Sequence, residues 1–210
     1  MENCNGTWLM IKTGNDYGEP EFIEFCDNQI LHFHITSKNE DGMLEKIQFR
    51  KENLSETKLK ILNEDRIRIF GLGKIHTVVS ETDSTTEEVE ISTDYVKIKP
   101  TITSFSKEEI LKMEFKAEWN REKFPIIFNR DLDSLPLKEI KKRLNREGRK
   151  ILLEDLQGTY FASIFNDGRR ETLIGIKEIT REKAILFGFP GEPFEVTAYS
   201  SKKTKQNNSK

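Results

Sequence analysis

His32 and His34 are the residues of this chain whose type and spacing come nearest to chemistry. Side chains on a strand repeat every two residues, so the two imidazoles would share one face. Such a pair can begin a zinc or copper site, with Cys26 and His76 as further ligands. A closed structural site needs four ligands, and no C-x-x-C or H-E-x-x-H accompanies the pair. The expectation is therefore an exposed histidine pair and no bound metal. Gly71-Leu72-Gly73-Lys74 lacks the G-x-x-x-x-G-K-[ST] spacing of a phosphate loop and reads as a loop leading into a strand at Ile75, Thr77 and Val79. Asp131 and Asp133 could offer oxygen ligands, but acidic residues just ahead of a helix are ordinary caps. There is no G-x-S-x-G elbow, and the 3 histidines leave few candidates for a general base. No catalytic residue and no cofactor are assigned, and the chain reads as a non-enzymatic protein. An enzyme built on dispersed carboxylates would leave no local signature.

A second constellation is basic. Lys46, Arg50, Lys58, Lys60, Arg66 and Arg68 fall on outward positions of successive strands. They read as one interaction face for an acidic protein, or as a solvated sheet face. No aromatic platform alternates with them, so an RNA-binding face is not indicated. Lys60 and Arg68 would lie directly opposite each other, which is mildly unfavourable.

The chain has 210 residues, 34 Lys plus Arg against 36 Asp plus Glu, and a formal net charge of −2. That balance argues against a nucleic-acid or membrane partner. The apolar run Trp8 to Ile11 is too short for a secretory core or a membrane span. With only 2 cysteines, Cys4 and Cys26, there is no disulfide framework, and a cytoplasmic location is expected.

The elements that would position these residues are short antiparallel strands, marked by period-two alternation. Leu59 and Ile61 face Ile69 and Ile67 across a three-residue loop, Asn63-Glu64-Asp65, with Asp65 left-handed. A three-residue loop at Cys26-Asp27-Asn28 would likewise set Ile23 opposite Leu31 and leave His32 on the wet face. Pairing of Glu90 with Lys97 and Glu88 with Lys99 predicts a third hairpin, turning at residues 92–95.

After Pro100 the pattern changes. Ser106-Lys107-Glu108-Glu109 is a capping box, while Met113 to Trp119 suits a helix or a strand. Pro136, the stripe Leu137, Ile140 and Leu144, and the stop Gly148 predict a helix near residues 135–147. Strands resume at 158–165, 172–176, 184–189 and 194–199, and residues 200–210 read as a disordered tail.

Gly6-Thr7-Trp8, opening the first strand of a meander, resembles the G-x-W motif of the lipocalins and the wider calycin group. The resemblance covers the motif and the strand-rich first hundred residues. It implies an antiparallel barrel with Trp8 closing one end and a small apolar ligand inside. Gly158-Thr159-Tyr160-Phe161 faintly echoes Gly6-Thr7-Trp8-Leu9.

The fold class read from the sequence is mainly β with minor α. It is an antiparallel, calycin-like meander or barrel over 1–100, a mixed connector with a helix over 101–155, and further antiparallel strands over 156–199. Two functions follow: a binding protein for a small apolar molecule, or a cytosolic protein–protein interaction module of the inhibitor or immunity type.

Overall fold

The computed structural model describes residues 5–11, 20–38, 42–80, 83–119, 121–128, 150–166, 168–189 and 194–201. Seven strands come first: β1 (Thr7–Ile11), β2 (Glu21–Cys26), β3 (Gln29–Ser37), β4 (Leu44–Asn53), β5 (Lys58–Asn63), β6 (Arg66–Ser80) and β7 (Asp83–Lys97). A short helix, α1 (Lys107–Ile110), precedes β8 (Glu114–Trp119), β9 (Glu122–Ile127), β10 (Lys150–Leu156), β11 (Thr159–Asn166), β12 (Arg169–Ile179), β13 (Lys183–Phe187) and β14 (Glu195–Ser200). They form two antiparallel sheets, in the orders β4-β3-β2-β1-β7-β6-β5 and β10-β11-β12-β13-β14-β8-β9. One of the two curls into a half-barrel. In each sheet the first strand in the chain lies beside the last, so each is a meander rejoined at its ends.

Of the described residues, those within 1–12, 21–34 and 47–98 make one compact unit, and those within 13–20, 35–46 and 99–210 make the other. The first unit centres on Trp8, Ile23, Ile30, Ile67 and Tyr95. The second has a larger cluster that includes Phe115, Phe128, Leu153, Ile176 and Leu186. The predicted capping box forms: Ser106 Oγ accepts from Glu109 N–H, and the Glu109 carboxylate accepts from Ser106 N–H. Residues 114–119 are strand. The predicted helix near 135–147, Asp131, Asp133, Cys4 and residues 202–210 lie outside the described residues. Among the described residues no helix is long and apolar enough to cross a membrane.

Register departs from expectation in two places. The β2–β3 hairpin closes with two residues, Asp27 and Asn28, because Cys26 is opposite Gln29. Both turn residues are left-handed, at φ 46° and 62°. That conformation matches the strand twist, and Asp and Asn tolerate it. Ile23 therefore faces His32, and Phe25 faces Ile30. The one-residue difference turns His32 inward, so the expected wet-face position is corrected.

The predicted third hairpin does not form. Residues 83–97 are one continuous strand, with Glu88 opposite Lys74 and Glu90 opposite Leu72. The charge match that suggested a turn at 92–95 is satisfied elsewhere, by Lys74 and Lys58. Gly71-Leu72-Gly73 likewise lies inside β6 and is not a loop. Gly73 has a packing reason, since a Cβ there would meet the Ile91 side chain.

The β5–β6 register is as expected, with Leu59 opposite Ile69 and Ile61 opposite Ile67. Ile67 is buried, but Ile61 is 52% exposed. Among the described residues the left-handed non-glycines are Asp27, Asn28, Arg121 and Gln157, so Asp65 is not one of them. The echo between the two halves has a structural counterpart. Gly6 and Gly158 both have positive φ, and each precedes a buried threonine that opens a strand.

Candidate functional site

Cross-strand partners share a face, so the register Lys97–Trp8–Ile23–His32 puts His32 on the face that carries Trp8. At the His32 end of this face the apolar cluster gives way to a polar one. His32 Nδ1 lies 2.6 Å from Glu21 Oε1, and His32 Nε2 lies 3.6 Å from Glu52 Oε2. The Arg50 guanidinium spans the group, with Nε 3.3 Å from Glu52 Oε1 and Nη2 3.1 Å from His32 Nδ1. Tyr95 donates its hydroxyl to Glu21 Oε1 at 3.5 Å. Phe49 stacks on the His34 ring with centroids 3.9 Å apart, and meets His32 edge-on.

The electrostatics follow from this packing. Burial pushes the Glu21 carboxyl up, but the hydrogen bond and charge of His32, with the charge of Arg50, outweigh it. The carboxyl is held below its ordinary value. Burial pushes the Tyr95 hydroxyl well above its ordinary value, and the Glu21 charge adds to the shift. Glu21 is thus an anion and Tyr95 a neutral donor. The His32 side chain is 3% exposed, and among the described residues neither its Nε2 nor the buried His34 Nδ1 has a hydrogen-bond partner. Buried polar atoms without partners are uncommon in folded proteins. The cluster still meets solvent through β4, where Arg50 is 51% exposed at the side chain and Phe49 is 45% exposed.

Cys26 sits exposed at the hairpin turn and directs its thiol to Asp27, whose charge raises the thiol above its ordinary value. Among the described residues no group of three or more His, Cys, Asp or Glu side chains could hold a metal ion.

The six basic residues do not share one surface. Arg50 joins the His32 cluster. Lys60, Arg66 and Arg68 lie on the opposite face, where Arg68 and Arg66 close on Asp94 at 2.6 and 3.2 Å. Burial raises the Asp94 carboxyl, but the Arg68 hydrogen bond is the larger effect and holds it below its ordinary value. Lys60 is exposed and faces Arg68 as expected. Lys58 pairs with Glu90 at 2.9 Å and lies over the Phe70 ring. Lys46 is half-buried on β4.

A second polar group lies in the other unit. Arg170 Nε donates to Glu154 Oε2 at 3.0 Å and Nη2 donates to Glu154 Oε1 at 2.8 Å, while Ser37 Oγ donates to Oε1 at 3.1 Å. Both oxygens of the buried Glu154 carboxylate therefore accept hydrogen bonds from within this group.

Sequence reasoning named His32, His34 and Arg50 but missed Glu21, Phe49, Glu52 and Tyr95. The missed signal was Asp27-Asn28: two adjacent residues that both accept a left-handed conformation favour the two-residue turn. That turn brings Glu21 and His32 to one face. Compared with known proteins, the chain matches no family model, and no curated protein matches it.

Proposed function

We propose that this chain is a non-enzymatic binding protein of lipocalin-like kind. It takes a small, largely apolar molecule at the His32 end of the Trp8-bearing face. The observation that carries this reading is a pair of buried imidazole nitrogens, His32 Nε2 and His34 Nδ1, without a hydrogen-bond partner among the described residues and beside the exposed ring of Phe49. A molecule seated there would meet an apolar wall and a few polar ring nitrogens, the combination ordinary small-molecule sites use. Trp8, Ile23, Ile30 and Ile67 are closed even to water, so the ligand belongs at the polar end and not beneath Trp8. The curled antiparallel sheet and the Gly6-Thr7-Trp8 opening support the lipocalin-like part of the reading. Native mass spectrometry of protein purified from its own host tests it. A bound mass should appear that Phe49→Ala reduces; a bare chain under gentle desolvation in repeated preparations counts against it.

A second reading, a protein–protein interaction module, is favoured by the far part of the β6–β7 hairpin. The partners of β5 on β6 end at Phe70, and those of β1 on β7 end at Asp94. Beyond them, among the described residues, 71–80 pair only with 83–91, a two-stranded ribbon of about 33 Å. Leu72 on it is 78% exposed. Two-stranded ribbons are marginal alone and gain from a partner. Shortening the ribbon should abolish capture of such a partner and leave small-molecule binding intact.

A further inference from the structure

We infer that the outer edge of β7 receives an extended segment of another protein as an added strand, a segment in which Lys or Arg alternates with apolar residues. The inference rests on the interaction reading of the β6–β7 ribbon and names the chemistry of its partner. Lys97 N–H donates to the Asp65 carbonyl on the β6 side of β7, and Ile98 N–H donates to the Thr7 carbonyl on the β1 side. Successive residues of a strand turn their backbone groups to opposite sides. The pairing with β6 runs without a shift from Val96 to Ser84. Glu88, Glu90 and Ser92 therefore direct N–H and C=O away from β6. On that side the partners of β1 end at Asp94, and among the described residues no strand pairs with these three. Such a row of donors and acceptors is a template for one more strand.

The side chains select which strand. Between Gly71 and Ser92 the sequence carries five carboxylates against one lysine, in a chain whose whole formal charge is −2. The Glu88 and Glu90 side chains are 62% and 56% exposed, and Lys74 and Lys58 meet them from the β6 side at 3.8 and 2.9 Å. The edge from Thr85 to Thr93 itself holds no cation. Glu88 and Glu90 share one face of the ribbon, and Val89 and Ile91 share the other. Ile91 is 48% exposed, with its side chain lying over Gly73. Side chains of an added strand stand opposite these residues, so basic ones face the glutamates and apolar ones face Val89 and Ile91. A second copy pairing through the same edge would set glutamate against glutamate, which like-charge repulsion opposes.

The experiment titrates the full chain with three fluorescein-labelled peptides of equal length: alternating Lys-Val, alternating Glu-Val, and a block of lysines followed by a block of valines. Anisotropy reads affinity, and NMR reads amide hydrogen exchange. Alternating Lys-Val should bind about tenfold or more tighter than either of the others, and more weakly as salt rises. The amides of Glu88, Glu90 and Ser92 should gain protection, while those of Val89 and Ile91, already bonded to β6, should not change. Glu88→Gln/Glu90→Gln should weaken the alternating Lys-Val peptide by about fivefold. Ser92→Pro removes an outward N–H and no bond to β6, and should weaken it with both glutamates intact. Equal binding of the block peptide, or of Glu-Val, overturns the inference. So does self-association of the chain alone that Ser92→Pro disperses, because a second copy then holds the edge. If a host protein is captured through the ribbon by a segment that is not basic, the inference falls and the interaction reading stands. If no peptide binds and no capture depends on the ribbon, both fall.

Discussion

Replacing Arg170 by leucine should remove a large part of the second unit's stability. The Arg170 and Glu154 side chains are 11% and 1% exposed, and the guanidinium grips the carboxylate with two hydrogen bonds of 3.0 and 2.8 Å. Without Arg170 the carboxylate keeps Ser37 Oγ at 3.1 Å but stays buried with its charge uncompensated. Breaking a buried pair in this way costs about 3–5 kcal/mol. Arg170 also lies 4.9 Å above the Phe165 ring, and losing that contact adds about 0.5–1 kcal/mol. With a urea m-value of about 2 kcal/mol/M, the midpoint should fall by roughly 1.8–3 M. Far-UV circular dichroism of wild type, Arg170→Leu and Arg170→Leu/Glu154→Leu reads this directly. The double variant should recover most of the loss, since its buried charge is gone. A shift below about 0.5 M for the single variant, or a double variant no better than the single, would refute the claim that an uncompensated charge is responsible.

Two further outcomes follow from the same packing. Gly175 lies opposite Phe187, whose ring covers the glycine so closely that a Cβ would overlap it; Gly175→Ala should cost about 1–3 kcal/mol or more in urea unfolding, and Gly175→Ala/Phe187→Leu should regain part of it. The Glu21 carboxyl titrates below its ordinary 4.5 in the folded chain. Its stabilisation is therefore present above that pH and lost as acid drives the pH down through the depressed value. Asp94, depressed from 3.8, adds to the same acid limb. Tyr95, raised from 10.0, stabilises below that pH and ceases to do so as alkali rises through its elevated value. Urea midpoints between pH 6 and pH 3 should fall less steeply for Glu21→Gln than for wild type. Parallel slopes would remove Glu21 from the account.

Much of the fold was legible because it depends on local alternation. The pairs Leu59–Ile69 and Ile61–Ile67, the capping box at Ser106 and the strands after residue 156 all follow from neighbours close in sequence. The candidate site was legible only in part. Glu21 and His32 sit on strands joined by one turn, and a single residue of loop length decides whether they meet. Tyr95 reaches Glu21 across a sequence distance that no local pattern spans. The charges on Glu88 and Glu90 misled for the same reason: several lysines could satisfy them, and only the long β6–β7 pairing selects Lys74 and Lys58.

The sequence by itself therefore determined the class: alternating apolar and charged side chains make antiparallel strands, because only a pleated ribbon separates them onto two faces. Tertiary structure alone decided that β1 would lie beside β7 and β8 beside β14, and that His32 would be buried among Glu21, Arg50, Glu52 and Tyr95. The physical reason is that strand pairing is cooperative over distant segments. Each local choice of turn or partner differs by little, about a kcal/mol, and the burial of the whole sheet chooses between them.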